Sequence, residues 1–181
     1  MIDVRKRVAV DYVGPQVDCG RWPIKRAVGE TVTVVAHAFA DGHDLVRAEM
    51  LYKKQQESEW TVAEMTYDVN DEWSVPFTVA ELGTYVYTAR AWVDRFSTWQ
   101  SDLRKKVEAQ QDVTVELAIG AQIILETAGS ADSAHVNNLR QWAQVLQSAG
   151  DMAQAVDLAM SEPLTETVRR HPDRSAVTTY D

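Results

Sequence analysis

The stretch DRFSTWQSDLRKKVEAQQD, residues 94–112, marks a change in the spacing of apolar residues along the chain. Before it, apolar and polar residues alternate in short runs bounded by turn residues, which is typical of half-buried β-strands. Within it, apolar residues recur every three or four positions, at Phe96, Trp99, Leu103 and Val107. This spacing indicates one face of a helix. The stretch therefore predicts a junction between a β module and an α module.

The β module is predicted to contain short antiparallel strands. The runs with the strand pattern are 7–13, 31–40, 45–54, 59–67, 72–79 and 83–95. Pro76 predicts that the fifth run is an edge strand, because proline cannot donate a hydrogen bond to a neighbouring strand. Short strands at this spacing, with no helix between them, predict an antiparallel β-sandwich of immunoglobulin type.

The α module is predicted to form a small helical bundle. Ser97 with Gln100 predicts a capping box at the first helix. Asp112 is the expected cap of the second helix, and Asp132 or Ser133 that of the third. Further helical patterns cover 113–128, 136–146, 152–160 and 163–168. The predicted fold class is α+β, with a β-sandwich at 1–96, a helical insert at 97–170 and a return segment at 171–181.

Composition excludes several classes of protein. The 181 residues carry a formal net charge of −9, which argues against general nucleic-acid binding. The basic cluster Arg104-Lys105-Lys106 is interpreted as the solvated face of a helix, with expected ion pairs from Asp102 to Lys106 and from Arg104 to Glu108. Residues 1–10 do not form a signal peptide, and no apolar run could span a membrane. A cytoplasmic protein without a membrane partner is therefore expected.

The lone cysteine, Cys19, cannot form an intrachain disulfide. We expect it to be a small, buried or half-exposed apolar residue. The six tryptophans are numerous for this length. Most are expected to be core residues, although an aromatic platform for sugar rings is the alternative.

Motifs for chemistry are absent from the sequence. The segment ADGHD, residues 40–44, places Asp41, His43 and Asp44 together, but its spacing predicts a turn rather than a metal loop. The other histidines, at 37, 135 and 171, suggest no ligand set. Glu64 is expected to pair with a neighbouring arginine or to lie exposed at an edge. We therefore predict no catalytic residue, no cofactor and no metal site.

Four segments carry a resemblance to a known family. They are DYVGPQVDCGRWPIKRAVGETVTVVAHAFADGHD at 11–44, MLYKKQQESEW at 50–60, AWVDRFSTWQSDLRKKVEAQQDVTVEL at 91–117 and HPDRSAVTTYD at 171–181. Together they resemble the N-terminal region of the α-1,4-glucan:maltose-1-phosphate maltosyltransferases, in the α-amylase clan. The resemblance implies a retaining enzyme with an aspartate nucleophile and a glutamate acid/base in a later (β/α)₈ barrel. No catalytic residue is carried over to this chain.

The resemblance also implies partners. The region would build a homodimer and adjoin the catalytic barrel of its own chain, with Trp142, Leu146 and Leu139 as candidate dimer contacts. It further implies a returning sandwich strand, which we expect to be lost near Asp181, leaving an exposed sheet edge. Two alternatives stay open: an α-glucan-binding module of an amylase-clan glycosidase, and a freestanding regulatory protein.

Overall fold

A computed structural model describes residues 6–148 and 150–180. The chain divides into two compact units, each described by itself below. A sheet unit runs up to Val93 and resumes at Arg174, and a helical unit spans 94–173. The division lies close to the predicted boundaries after 96 and 170. Parts of the predicted N-terminal and return segments, namely residues 1–5 and Asp181, lie outside the described residues.

The sheet unit consists of two four-stranded antiparallel sheets. Its strands are β1 (Val8–Gly14), β2 (Thr31–Ala40), β3 (Val46–Lys54), β4 (Thr61–Glu64), β5 (Thr66–Tyr67), β6 (Glu72–Thr78), β7 (Tyr85–Val93) and β8 (Thr178–Thr179). The first sheet has the order β1-β2-β6-β5 and the second β4-β3-β7-β8. The six predicted runs thus correspond to strands within a few residues.

The two sheets share one hydrophobic core. Alternating residues of β2 and β3 point into it, as the period-2 pattern predicts, and include Val34, Ala36, Ala48 and Met50. Ala89 of β7 completes the layer from the second sheet. Small alanine side chains are common at these positions, and they suit a closely packed interior.

The predicted strand at 59–67 is divided between the two sheets. Met65 separates β4 from β5, and β4 pairs with β3 whereas β5 pairs with β6. The side chain of Met65 is buried in the shared core, and its backbone N–H donates to the carbonyl of Ala48. One apolar anchor therefore fixes the point at which the chain changes sheet.

The prediction that Pro76 marks an edge strand was wrong for the strand as a whole. The proline-containing strand, β6, lies between β2 and β5. However, β5 pairs only with Trp73 and Ser74, so Pro76 has an inter-strand neighbour on the β2 side alone. Proline is tolerated there because the short β5 ends before reaching it.

The expected loss of the returning strand was also wrong. β8 pairs with β7 through Arg90 opposite Thr179 and Ala91 opposite Thr178. Beyond it, the N–H of Tyr180 donates to the carbonyl of Ala89. The return segment therefore covers part of the β7 edge.

The helical unit has five helices among the described residues. They are α1 (Arg95–Glu108), α2 (Thr114–Ser130), α3 (Val136–Ser148), α4 (Met152–Ala159) and α5 (Glu162–Arg170). Their apolar faces share one core, in which Leu103, Leu117, Ile124 and Leu164 are fully buried. None of these helices has the length and apolarity needed to cross a membrane.

The predicted capping box of α1 was wrong. Asp94 is the N-cap, and its carboxylate accepts from the backbone N–H and the hydroxyl of Ser97. Gln100 faces the core instead, where its amide donates to the carbonyl of Ala159 at 2.8 Å and to the Thr165 hydroxyl at 2.9 Å. The expected cap of α2, Asp112, lies one residue before the observed N-cap, Val113, which has no side-chain cap bond. The carboxylate of Asp112 still accepts from the N–H of Thr114.

Candidate functional site

An exposed aromatic surface lies on the outer face of the second sheet. Trp60 is 42% exposed, and Val62 is similarly open. Val62 lies directly opposite Leu51 across the β3–β4 pair, so the two side chains share a face. The ammonium group of Lys53 lies 5.0 Å from the centroid of the Trp60 ring. These four residues are called the outer platform below, and their flat apolar surface next to hydrogen-bond donors suits a sugar ring.

A charged cluster continues along the same outer face. Glu49 is buried, and its carboxylate contacts two guanidinium groups: Arg90 at 2.7 Å and Arg174 at 2.5 Å. The guanidiniums of Arg47 and Arg174 lie 5.5 and 5.3 Å from the centroid of the Trp92 ring. Both carboxylate oxygens of Glu49 are engaged, which favours a structural role for this acid.

The prediction for Glu64 is confirmed. Its exposed carboxylate pairs with Arg47 at 2.9 Å.

The ADGHD turn is tied together by an arginine. Arg7 contacts the carboxylate of Asp41 at 2.9 Å and that of Asp44 at 2.5 Å. The Asp41 hydrogen bond is the main cause of a raised pKa at Arg7. Because a guanidinium already pairs with both carboxylates, the turn interpretation is favoured over a metal loop.

The basic cluster at 104–106 forms ion pairs with acids of the helical unit. Lys105, rather than the expected Lys106, contacts Asp102 at 3.0 Å. Lys106 pairs with Glu116 at the start of α2, and this hydrogen bond lowers the pKa of Glu116. The guanidinium of Arg104 lies 4.0 Å from the sulfur of Met160. These contacts are consistent with a helix surface that is tied to its own unit.

Three side chains that the sequence did not connect meet in the helical unit. Asp132 lies in the link before α3, His135 directly precedes α3, and His171 is the C-cap of α5. Nδ1 of His135 lies 2.7 Å from Oδ1 of Asp132 and 3.3 Å from Nε2 of His171. The hydrogen bond with His135 is the main cause of a lowered pKa at Asp132. The sequence suggested no ligand set among the histidines and did not reveal that His135 and His171 lie together.

These three residues are called the Asp-His-His cluster. One ligand atom from each residue lies within 4.8 Å of the others. The only local signal was the Asp-x-x-His spacing at 132–135, which brings the first two side chains to the same helix end. The third member depends on the packing of α5, which no local pattern reveals.

The exposure of Cys19 differs from the expectation. The thiol is exposed, in a turn where Asp18 and Cys19 both have φ near +52°. A tight turn places its side chains outward, so an apolar environment is not available there.

The comparisons with known proteins identify the family. The family model for α-1,4-glucan:maltose-1-phosphate maltosyltransferase, domain N/S, matches residues 6–181. The chain belongs to this family. A maltosyltransferase of Chlorobaculum tepidum is 41% identical over 99% of this chain, and the match covers 27% of the relative. The corresponding enzyme of Methylacidiphilum infernorum is 34% identical over 96% of the chain and 26% of the relative. The N/S domain therefore spans about a quarter of the length of these curated relatives.

In this N/S domain, the three predicted dimer contacts differ in side-chain exposure. Leu139 and Leu146 are fully buried in the core of the helical unit, whereas Trp142 is half-buried at its edge. A more open apolar surface lies on α2, where Val115 is 66% and Ile119 is 49% exposed. These two residues are four positions apart and therefore neighbours on one helix face, called the α2 stripe below.

Proposed function

We propose that this chain is the non-catalytic N-terminal module of a retaining maltosyltransferase that extends α-1,4-glucans from α-maltose 1-phosphate. The observation that carries the proposal is the family match over residues 6–181. The matched relatives are about four times longer, which leaves room for a separate catalytic barrel. The engagement of the buried carboxylate of Glu49 by two arginines supports a structural role for the sheet unit.

We further propose that the two units are an immunoglobulin-like sandwich and a helical bundle inserted into it. The strand orders β1-β2-β6-β5 and β4-β3-β7-β8 support this class. They correspond to the ABED sheet and to a CFG sheet with one added strand, in the order that immunoglobulin-like domains use. The helices then occupy the connection between the last two strands of that scheme, β7 and β8.

The proposed role of the module is to hold two copies of the enzyme together. The α2 stripe supports this role, because neighbouring exposed apolar residues on one helix are disfavoured in water and suited to a partner surface. Of the three predicted contacts, Trp142 is the one whose side chain is partly exposed and could touch a second copy. Leu139 and Leu146 are buried, so their role would be to stabilise the helical unit. An exposed thiol at Cys19 fits a cytoplasmic enzyme, because reducing compartments keep thiols unpaired.

Sedimentation of the full-length enzyme tests the dimer. Ile119→Glu and Trp142→Ala should each raise the dimer dissociation constant by about tenfold or more, because each removes buried apolar contact area. Leu82→Glu is the matched control, since Leu82 is 87% exposed in the sheet unit and lies outside the proposed contact. A monomeric parent enzyme, or a dimer unaffected by both substitutions, would refute this role.

A second candidate function is α-glucan binding, which the outer platform favours. Titrating the chain with a linear maltooligosaccharide should shift the indole resonance of Trp60, and Trp60→Ala should abolish the binding. Trp22→Ala is a close control, because Trp22 is also exposed and also lies beside a cation, Arg21. If millimolar sugar produces no shift in the unmodified chain, the platform is not a glucan site.

A further inference from the structure

The Asp-His-His cluster has the composition of a metal site. We propose that Asp132, His135 and His171 bind Zn²⁺ or a similar late first-row divalent cation within the helical unit. Imidazole nitrogen and carboxylate oxygen are both ordinary zinc ligands, and imidazole also suits Ni²⁺ and Cu²⁺. Three protein ligands leave a fourth tetrahedral position for water.

The distances between the donor atoms suit a tetrahedral ion. Ligands bound at ordinary zinc distances lie about 3.3 Å from one another at the corners of a tetrahedron. Nδ1 of His135 and Nε2 of His171 are 3.3 Å apart. Oδ2 of Asp132 is 3.7 Å from the same His171 nitrogen. Oδ1 lies 2.7 Å from Nδ1 of His135, so the ion would replace that hydrogen bond.

Proton counting explains why a cation would stabilise this arrangement. With neutral imidazoles, a proton on Nδ1 of His135 can be donated to Asp132 or to His171, but it cannot serve both fully. Two ring nitrogens that face each other at 3.3 Å need either one shared proton or one shared cation. A divalent ion accepts lone pairs from all three residues at once, and its charge also offsets that of the aspartate.

The local backbone holds the aspartate in place before any ion binds. Oδ1 of Asp132 accepts from the backbone N–H groups of Ala134 and His135 and also lies 2.7 Å from Nδ1 of His135. Oδ2 is the carboxylate oxygen near His171, 3.7 Å from its Nε2. The N–H of His171 bonds to the carbonyl of Val168 at the end of α5. Because the ligands come from the start of α3 and the end of α5, the ion would fasten two helix ends of one unit together.

The cluster is half-buried on the histidine side and exposed on the aspartate side, which leaves a path for an ion to enter. His135 and His171 are half-buried, which restricts their rings, whereas Asp132 is exposed. Water can therefore reach the fourth position, and an ion can enter from the aspartate side. The site is independent of the proposed transferase role, because it lies outside the α2 stripe and the outer platform.

Zinc titration of the metal-stripped chain is the direct test. Calorimetry should give one Zn²⁺ per chain with a dissociation constant of about 10 μM or lower, and Co²⁺ should give the intense visible bands of a tetrahedral complex. His135→Gln and His171→Gln should each weaken binding at least about tenfold, since each removes one of three ligands. His43→Gln is the control, because His43 is an exposed histidine of the sheet unit, and it should bind as the parent does.

Either of two titration results would overturn the proposal. One is the absence of saturable binding below about 100 μM. The other is an equal affinity in His135→Gln, His171→Gln and the parent chain. If a variant fails to fold, NMR of the histidine ring nitrogens in the unmodified chain gives the answer. Zinc should then shift the resonances of His135 and His171. A shift of the His37 or His43 resonances alone would refute the site.

Discussion

At the scale of single residues, a glycine and a tryptophan determine how the first two helices meet. The indole of Trp99 lies against Gly120 of α2, and its Nε1 donates to the carbonyl of Glu116 at 2.6 Å. A Cβ on Gly120 would fall 1.9 Å from Cζ2 of Trp99, which no real contact permits. The glycine therefore weakens the helix intrinsically but makes room for the ring.

Gly120→Ala should destabilise the helical unit by about 1–3 kcal/mol, because the ring or the helix must move. This cost exceeds the gain of about 1 kcal/mol that alanine brings to a helix interior. Gly129→Ala on the same helix is the matched control, since nothing lies within 4 Å of its Cβ position, and it should be neutral or stabilising. Urea unfolding followed by circular dichroism measures both; equal stability of the two variants would contradict the packing argument.

A buried glutamine joins three helices by hydrogen bonds. Gln100 is almost fully buried, and its amide connects α1 to the end of α4 and to α5. The sequence predicted a capping role because glutamine three residues after serine is a common helix-start pattern. The pattern could not reveal that Asp94 already supplies the cap, which leaves Gln100 free to face the core.

Gln100→Leu should lower the free energy of unfolding by about 1–3 kcal/mol, because the carbonyl of Ala159 loses its amide donor in a buried environment. Gln144→Leu, at an exposed position of α3, should change stability by less than about 0.5 kcal/mol. Denaturant unfolding of both variants gives the comparison. A neutral Gln100→Leu would mean that apolar packing replaces the hydrogen bonds.

At the scale of elements, the short strand β8 depends on an ion-pair cluster beside it. Arg174 precedes the strand by a few residues and contacts Glu49 of β3, while Arg90 of β7 contacts the same carboxylate. The hydroxyl of Thr88 adds a bond to the carbonyl of Tyr180. A two-residue strand has few backbone bonds of its own, so these side chains help to keep it in the sheet.

Glu49→Gln should destabilise the sheet unit by about 3 kcal/mol, because two arginines lose a charged partner beside a buried position. Glu64→Gln is the matched control on the same face, and loss of its exposed pair with Arg47 should cost less than about 1 kcal/mol. Hydrogen exchange at Tyr180, whose N–H donates to Ala89, reports on β8 directly and should accelerate in Glu49→Gln alone. Unchanged exchange would show that the strand is held by other contacts.

At the scale of the whole molecule, the segment that forms the helical unit lies between two strands of the sheet unit in chain order. The chain leaves the sheet unit after β7 and returns to pair β8 with that same strand. The shared core of the two sheets is built from residues of the sheet unit itself. Because β7 and β8 are antiparallel neighbours, the ends of the insertion emerge from adjacent strands, where a short hairpin loop would also fit.

Replacing residues 94–173 by a short glycine-serine linker should therefore leave a folded sheet unit. Circular dichroism should lose its helical signal and keep a cooperative thermal transition, because the core of the sheets is retained. An unfolded or aggregated product would show that the sheets need the helices for stability.

Much of the secondary structure could be predicted from the sequence, because the spacing of apolar residues within an element is a local property of the chain. The strands and helices lie within a few residues of the predicted ranges. The candidate sites were less predictable, because their members are far apart in the chain. His135 and His171 are 36 positions apart in the chain, and Glu49 and Arg174 are 125 positions apart.

The sequence by itself determined which segments form strands and which form helices, through the spacing of their apolar residues. It also determined the junction at 94–112 and the family. These depend on side-chain order along the backbone, which is fixed before folding. The tertiary structure alone decided that Met65 divides one predicted strand between two sheets, that Gln100 faces the core and that Asp132 meets two histidines. Each of these outcomes depends on which elements pack together, and burial of apolar surface sets that choice across distances that no local pattern covers.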